Sequence, residues 1–122
     1  MIHEEICTYE VAKLAKEKGF DVQTFDWYDY TGNYHKGFVP HELHECPRYK
    51  EYYAPSQSLL RRWLRGQGID IEIYPIFPTN GKNYGCRIHK RLVRNKPKNI
   101  GYFSTYELAL EDALKYALEN LV

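Results

Sequence analysis

"IDIEIYPIFPTNGKNYGCRIHKRLV", residues 69–93, decides the fold. It opens in strict alternation: Ile69, Ile71 and Ile73 fall on one side, Asp70, Glu72 and Tyr74 on the other. A period of two means a strand with one buried face. Asn80-Gly81 is the turn signal, because both central residues of a type I′ turn need positive φ. A return strand then covers about 84–93. Pro75 and Pro78 have no N–H to give a ladder, so the first strand of the pair belongs at a sheet edge. A two-residue turn sets Asp70 opposite Arg91, Glu72 opposite His89 and Tyr74 opposite Arg87. Such cross-strand pairs contribute about 0.2–1 kcal/mol each. The same register puts Lys90 on the inner face opposite Ile71, so it must leave by the sheet end or a bulge must intervene.

A third strand, about Ile100–Phe103, leads into "STYELALEDALKYALENLV". Ser104 and Glu107 have the spacing of a capping box, with Phe103 and Leu108 at the staple positions. Tyr106, Leu110, Ala113, Leu114, Ala117, Leu118 and Leu121 keep the helical period, so helix 105–121 should cross the inner sheet face through Leu110, Leu114, Ala117 and Leu118. Upstream, "SQSLLRRWLR" is a helix capped by Ser56 and ended by Gly66 and Gly68. Leu59, Leu60, Trp63 and Leu64 form its apolar stripe, and Arg61, Arg62 and Arg65 lie off it. Residues 56–122 therefore read α-β-β-β-α.

The first half is plainer at its start. "TYEVAKLAKEKGFD" has Thr8 as N-cap, Glu10 in the first turn and Gly19 at the C′ position. Val11, Leu14, Ala15 and Lys18 share a face, and Phe20 closes the helix end. "VQTFDWYDYTGNYHKGFV" reads as a hairpin with strands near 22–30 and 34–39 around Thr31-Gly32-Asn33. Phe25, Trp27 and Tyr30 compete for its inner face. Residues 40–55 carry three Pro and no period, which predicts a connecting loop, functional or containing a short element. The chain of 122 residues thus reads as one α+β domain with a mainly antiparallel sheet: helix and aromatic hairpin (1–39), loop (40–55), then α-β-β-β-α (56–122).

"EEICTYEVAKLAKEKGFD", "YAPSQSLLRRWLR" and "GYFSTYELALEDALKYALENL" together resemble a group of small uncharacterised proteins of Bacteroides-type gut bacteria and their prophages and phages. The likeness runs along nearly the whole chain, with the middle loop and hairpin variable. It implies a mobile-element setting and a cytoplasmic location, and it brings no catalytic residues with it. "RGQG", residues 65–68, departs from the more charged segment expected there and bears on the helix end. In topology, the strands and last helix also look like the three-stranded DNA-binding domains of some phage integrases and AP2-type plant factors. The order α-β-β-β-α is shared with double-stranded RNA-binding domains. Fold alone does not carry function across.

Charge is uneven. Residues 61–106 hold ten Lys or Arg against Asp70 and Glu72, a local +8, although the whole chain is only +1. Such asymmetry can mark a phosphate-binding face. The candidates are Arg87, Arg91, Arg94, Lys96 and Lys98, helped by Arg61, Arg62 and Arg65. The two acids, however, sit where they neutralise the basic strand. "HELHEC" gathers His41, His44 and Cys46, donors that suit zinc, without the second short-spaced pair of a structural site.

No phosphate loop, G-x-S-x-G or H-E-x-x-H motif occurs, and no cofactor is expected. Cys86 falls inward as an inert thiol. Cys7 stands just before a helix N-terminus, a place where a thiol pKa can be lowered, but chance placement is the reading taken. Three dispersed Cys make no disulfide framework and suit a reducing compartment. No secretory leader and no membrane span are read.

Two functional readings stand. One is a non-enzymatic module acting through a protein partner or as an oligomer, using exposed aromatics among its twelve Tyr, with Trp27. The alternative is a nucleic-acid accessory protein using the basic segment. An enzyme would need a pocket joining loop 40–55 to Asp26 and Asp29.

Overall fold

In the computed structural model, Asn80 and Gly81 both take positive φ, 53° and 77°, and Thr79 stands opposite Lys82. The structure describes residues 5–37, 52–91 and 96–122. Strands β4 (Ile69–Thr79), β5 (Lys82–Lys90) and β6 (Lys98–Phe103) form an antiparallel sheet in the order β4-β5-β6, with β4 at an edge. Between Pro75 and Thr79 the register slips. Ile76, Phe77 and Pro78 there stand against Asn83 alone, so β4 carries two extra residues. Proline cannot donate to the ladder, and a bulge absorbs it.

The slip corrects the pairing expected from the turn. Asp70 faces His89, Glu72 faces Arg87 and Tyr74 faces Gly85. A shift of two preserves the faces: Ile69, Ile71, Cys86 and Ile88 are all buried. Lys90 stands opposite Ile69 rather than Ile71. It leaves by the sheet end, and its Nζ donates to the Leu121 carbonyl at 2.9 Å.

Among the described residues three helices accompany this sheet: α1 (Tyr9–Glu17), α2 (Gln57–Gly66) and α3 (Tyr106–Asn120). Helix α3 lays Leu110, Ala113, Leu114, Ala117 and Leu118 into the core with Leu60, Leu64, Val11 and Ala15. Its cap is Thr105, whose hydroxyl accepts from Leu108 N at 3.1 Å. The Ser104–Glu107 capping box is thus displaced by one residue. Leu108 becomes N3 and is 54% exposed, so the staple does not form. Adjacent Ser and Thr are both competent caps, and tertiary placement chose between them.

The other two caps are as the sequence predicts. Thr8 accepts from Val11 N at 3.3 Å and Ser56 from Leu59 N at 3.1 Å, contacts worth about 1 kcal/mol each. Gly19, at φ 97°, ends α1. Its N–H bonds to Lys16 O at 3.1 Å and Phe20 N to Ala15 O at 2.9 Å, a Schellman closure. Phe20 is buried there, edge-on to Trp63.

A second small sheet has the order β2-β1-β3, from β1 (Trp27–Tyr28), β2 (Tyr34–His35) and β3 (Tyr52–Tyr53). The aromatic hairpin is therefore much shorter than its composition predicts. Asp29 Oδ1 accepts from Thr31 N at 2.9 Å and Asn33 N at 3.0 Å. This local turn competes with the ladder and stops it. Phe25 and Tyr30 are 68% and 65% exposed, so neither holds the inner face. Tyr28 turns inward instead, donating to Cys7 O at 2.5 Å. Part of the 40–55 segment read as a loop is strand β3; residues 38–51 lie outside the described residues.

One polar cluster ties the helices together. Glu111 of α3 accepts from Thr8 N at 3.2 Å, Thr8 Oγ1 at 3.3 Å and Gln57 Nε2 at 3.1 Å. Gln57, only 4% exposed, also donates to Glu107 O at 3.0 Å. The architecture is α+β. Among the described residues no helix is long and apolar enough to cross a membrane.

Candidate interaction surface

The face of the main sheet opposite the core carries an aromatic row. Tyr74 of β4, Gly85 of β5 and Tyr102 of β6 stand directly opposite one another. A Cβ on Gly85 would come within 2.5 Å of the Tyr74 ring. The absent side chain is what lets that ring lie flat across the middle strand. The Arg87 guanidinium then sits 4.6 Å from the Tyr74 ring centroid, a stacking arrangement arginine favours. Desolvation, followed by the neighbouring Tyr102 phenol, raises the Tyr74 hydroxyl above the usual phenol range. Asn99 Nδ2 donates to Tyr102 Oη at 3.2 Å.

Beyond this row the face is charged and balanced. Arg87 Nη2 lies 3.0 Å from Glu72 Oε1, and Arg91 Nε lies 2.9 Å from Asp70 Oδ2. Both pairs are solvent-exposed and worth little individually. At the other end, the bulged tip projects Phe77, which is 89% exposed between its two prolines. Tyr102 is 49% exposed.

The residues proposed from sequence for phosphate contact are distributed over several surfaces. Arg87 and Arg91 stand on the outer sheet face, and Arg91 also donates to Arg65 O. Arg61 is not off the core stripe. It lies in the seam between α2, β4 and α3, donating to Ile71 O at 2.5 Å and Tyr106 Oη at 2.9 Å. Arg91 N bonds Gly68 O at 2.7 Å, a phase that turns the Ile71 carbonyl away from β5. Arg61 therefore seals a group on the free edge of β4. Arg62 and Arg65 are exposed on α2, and Lys98 lies on the helix side of the sheet, its Nζ 5.4 Å from the Tyr116 ring. Arg94 lies outside the described residues, as do His41, His44 and Cys46 of the metal reading. Among the described residues no group of three His, Cys, Asp or Glu could hold a metal ion.

The remaining candidates are held locally. His35 stacks on Trp27 with centroids 4.3 Å apart, and its Nε2 lies 2.7 Å from Asp29 Oδ2. Asp26 accepts from the Tyr34 hydroxyl. The helix end does not activate the Cys7 thiol. Burial dominates the helix end, and Glu111 adds to it, so its pKa is pushed far upward. Burial likewise pushes Cys86, on the inner face as expected, up to about 11.

The sequence reading missed the Tyr74–Gly85–Tyr102 row and the tip. An isolated glycine within a strand pattern is the signal for the first. An aromatic between two prolines beside a hairpin turn is the signal for the second. Comparison with protein-family models, curated proteins and solved structures finds no match to this chain.

Proposed function

We propose that this protein is a small non-enzymatic interaction module that docks a protein surface through the outer face of its main sheet. In the mobile-element setting implied by its resemblances, it would act as an adaptor or assembly subunit. The observation that carries this reading is the aromatic row of Tyr74 and Tyr102 on a face whose ion pairs are matched within the chain, with Phe77 exposed at the tip of the same hairpin. Tyr, Phe and Arg are the residues that protein interfaces concentrate.

A second copy of the chain is the occupant that the charge pattern fits. The acids Asp70 and Glu72 lie on β4, while Arg87 and His89 lie on β5 and Arg91 directly follows it. A two-fold axis parallel to the strands and midway between β4 and β5 lays β4 of one copy over β5 of the other, so that the intrachain pairs Glu72–Arg87 and Asp70–Arg91 can be shared between copies. Light scattering during size exclusion, across micromolar to submillimolar protein, tests it. A concentration-dependent dimer weakened by Phe77→Ser and Tyr102→Ser supports the reading. A monomer throughout removes the second copy as the occupant.

The nucleic-acid alternative is favoured by the +8 of residues 61–106. Anisotropy of labelled duplex DNA, single-stranded DNA and duplex RNA at two salt concentrations separates the two. Binding that weakens steeply with salt, and is lost on charge reversal at Arg87 and Arg91, selects the alternative.

A further inference from the structure

A cleft of about 290 Å³ lies between the adjoining ends of β5 and β6 and the C-terminal end of α3. Lys90, Lys96 and Lys98 line it, over a floor of Ile88, Leu121 and the Tyr116 ring. Among the described residues, no carboxylate side chain lines it. Three ammonium groups around one small cavity repel one another unless something of opposite charge sits between them.

Each lysine has a different local situation. Lys90 is committed to the Leu121 carbonyl at 2.9 Å, which meets the negative end of the α3 dipole. Lys98 is steadied over the Tyr116 ring, which orients its head and leaves its N–H donors available. Lys96 is exposed and has no ion-pair partner among the described residues. The helix end is thus answered by one lysine, and two positive charges remain in excess. Glu119, in the last helical turn, is directed to Lys115 at 3.9 Å.

We propose that this cleft binds a small phosphomonoester, its dianionic head held by Lys96 and Lys98 and its organic body resting on Ile88, Leu121 and Tyr116. The volume is at the lower end of small-molecule sites, and the mixture of apolar floor and few convergent charges is typical of them. Ammonium groups bind phosphate by charge-assisted hydrogen bonds. Its lysines and floor lie at the sheet end and on the helix side; of the residues named in the docking reading only His89 also borders it, so the two readings are tested by different substitutions.

Isothermal titration of the full chain at physiological salt tests the proposal. The probes are adenosine monophosphate, inorganic phosphate, adenosine and a short single-stranded oligonucleotide. The expected result is saturable binding of the monophosphate, weaker binding of phosphate and none of adenosine. Lys96→Gln, an exposed change that should not disturb folding, should weaken the monophosphate by about tenfold, and Lys98→Gln by a similar factor. Lys13→Gln, which removes an exposed positive charge on α1, is the control and should change nothing. No saturable binding of the monophosphate overturns the proposal. So does affinity unaffected by Lys96→Gln, or binding of the oligonucleotide alone, which would assign the lysines to a nucleic-acid backbone.

Discussion

Glu111 on the last helix and Thr8 at the start of the first are hydrogen-bonded twice, across 103 residues of sequence. The same carboxylate holds Gln57 at the start of α2, so one side chain answers the N-terminal ends of two helices. Carboxylates are favoured at such ends. Glu111→Ala should cost about 1–2 kcal/mol, because the buried Gln57 amide loses one of its two acceptors and the exposed Thr8 cap loses its bonds. Urea denaturation followed by circular dichroism measures it.

The same residue gives a pH signature. Burial raises the Glu111 pKa above its ordinary 4.5, opposed by its hydrogen bonds to Gln57 and Thr8. A folded-state pKa above the unfolded value means that the folded state binds the proton more tightly. Relative to Glu111→Gln, the wild type should therefore gain stability as pH falls from neutral through the raised value towards 4.5. Paired urea curves at several pH values read the difference. A constant difference would remove Glu111 as its source.

Asp29 has the opposite sign. Its hydrogen bonds with Thr31 and His35 lower its pKa below the ordinary 3.8. The stabilisation is present above that value and fades as pH falls below it towards the folded-state pKa. Asp29→Ala should loosen the hairpin at neutral pH, read through the fluorescence of Trp27 stacked on His35. Wild type and variant should converge in strong acid.

Gly85→Ala forces the far end of the Tyr74 ring to lift. The ring can move, so the cost should be modest, about 1 kcal/mol. It should largely vanish in a Tyr74→Ala background, which a double-mutant cycle detects.

Arg61→Ala removes the bonds to Ile71 O and Tyr106 Oη and exposes the β4 edge. A loss of about 1–3 kcal/mol is expected, accompanied by light-scattering evidence of aggregation on storage. Phe77→Ser, by contrast, should leave stability within about 0.5 kcal/mol of the wild type, because its side chain is almost wholly in solvent.

The elements most legible in the sequence were those with agreeing signals. Period-two alternation in β4, the Asn80-Gly81 turn, and the caps at Thr8 and Ser56 all meant one thing locally. Register was less legible because two prolines could be accommodated by an edge position, a bulge, or both, and the chain uses both. The Ser104/Thr105 choice and the shortened hairpin turned on competition between similar polar side chains. Arg61 shows the limit most clearly. Its helical position placed it off the apolar stripe, yet an arginine is long enough to reach the neighbouring strand edge. The aromatic row required cross-strand alignment, which the misplaced register could not supply.

The long separation between Glu111 and Thr8 has a consequence for synthesis. While the chain is being made, α1 emerges early, without the carboxylate that will hold its first turn or the α3 surface that covers Val11 and Ala15. Local helix signals alone leave so short a helix marginal in water. A chain that stops short of residue 111 therefore lacks what holds α1 in place. Completion of this fold then waits on α3, and a chain cut before it would leave Val11 and Ala15 without their cover.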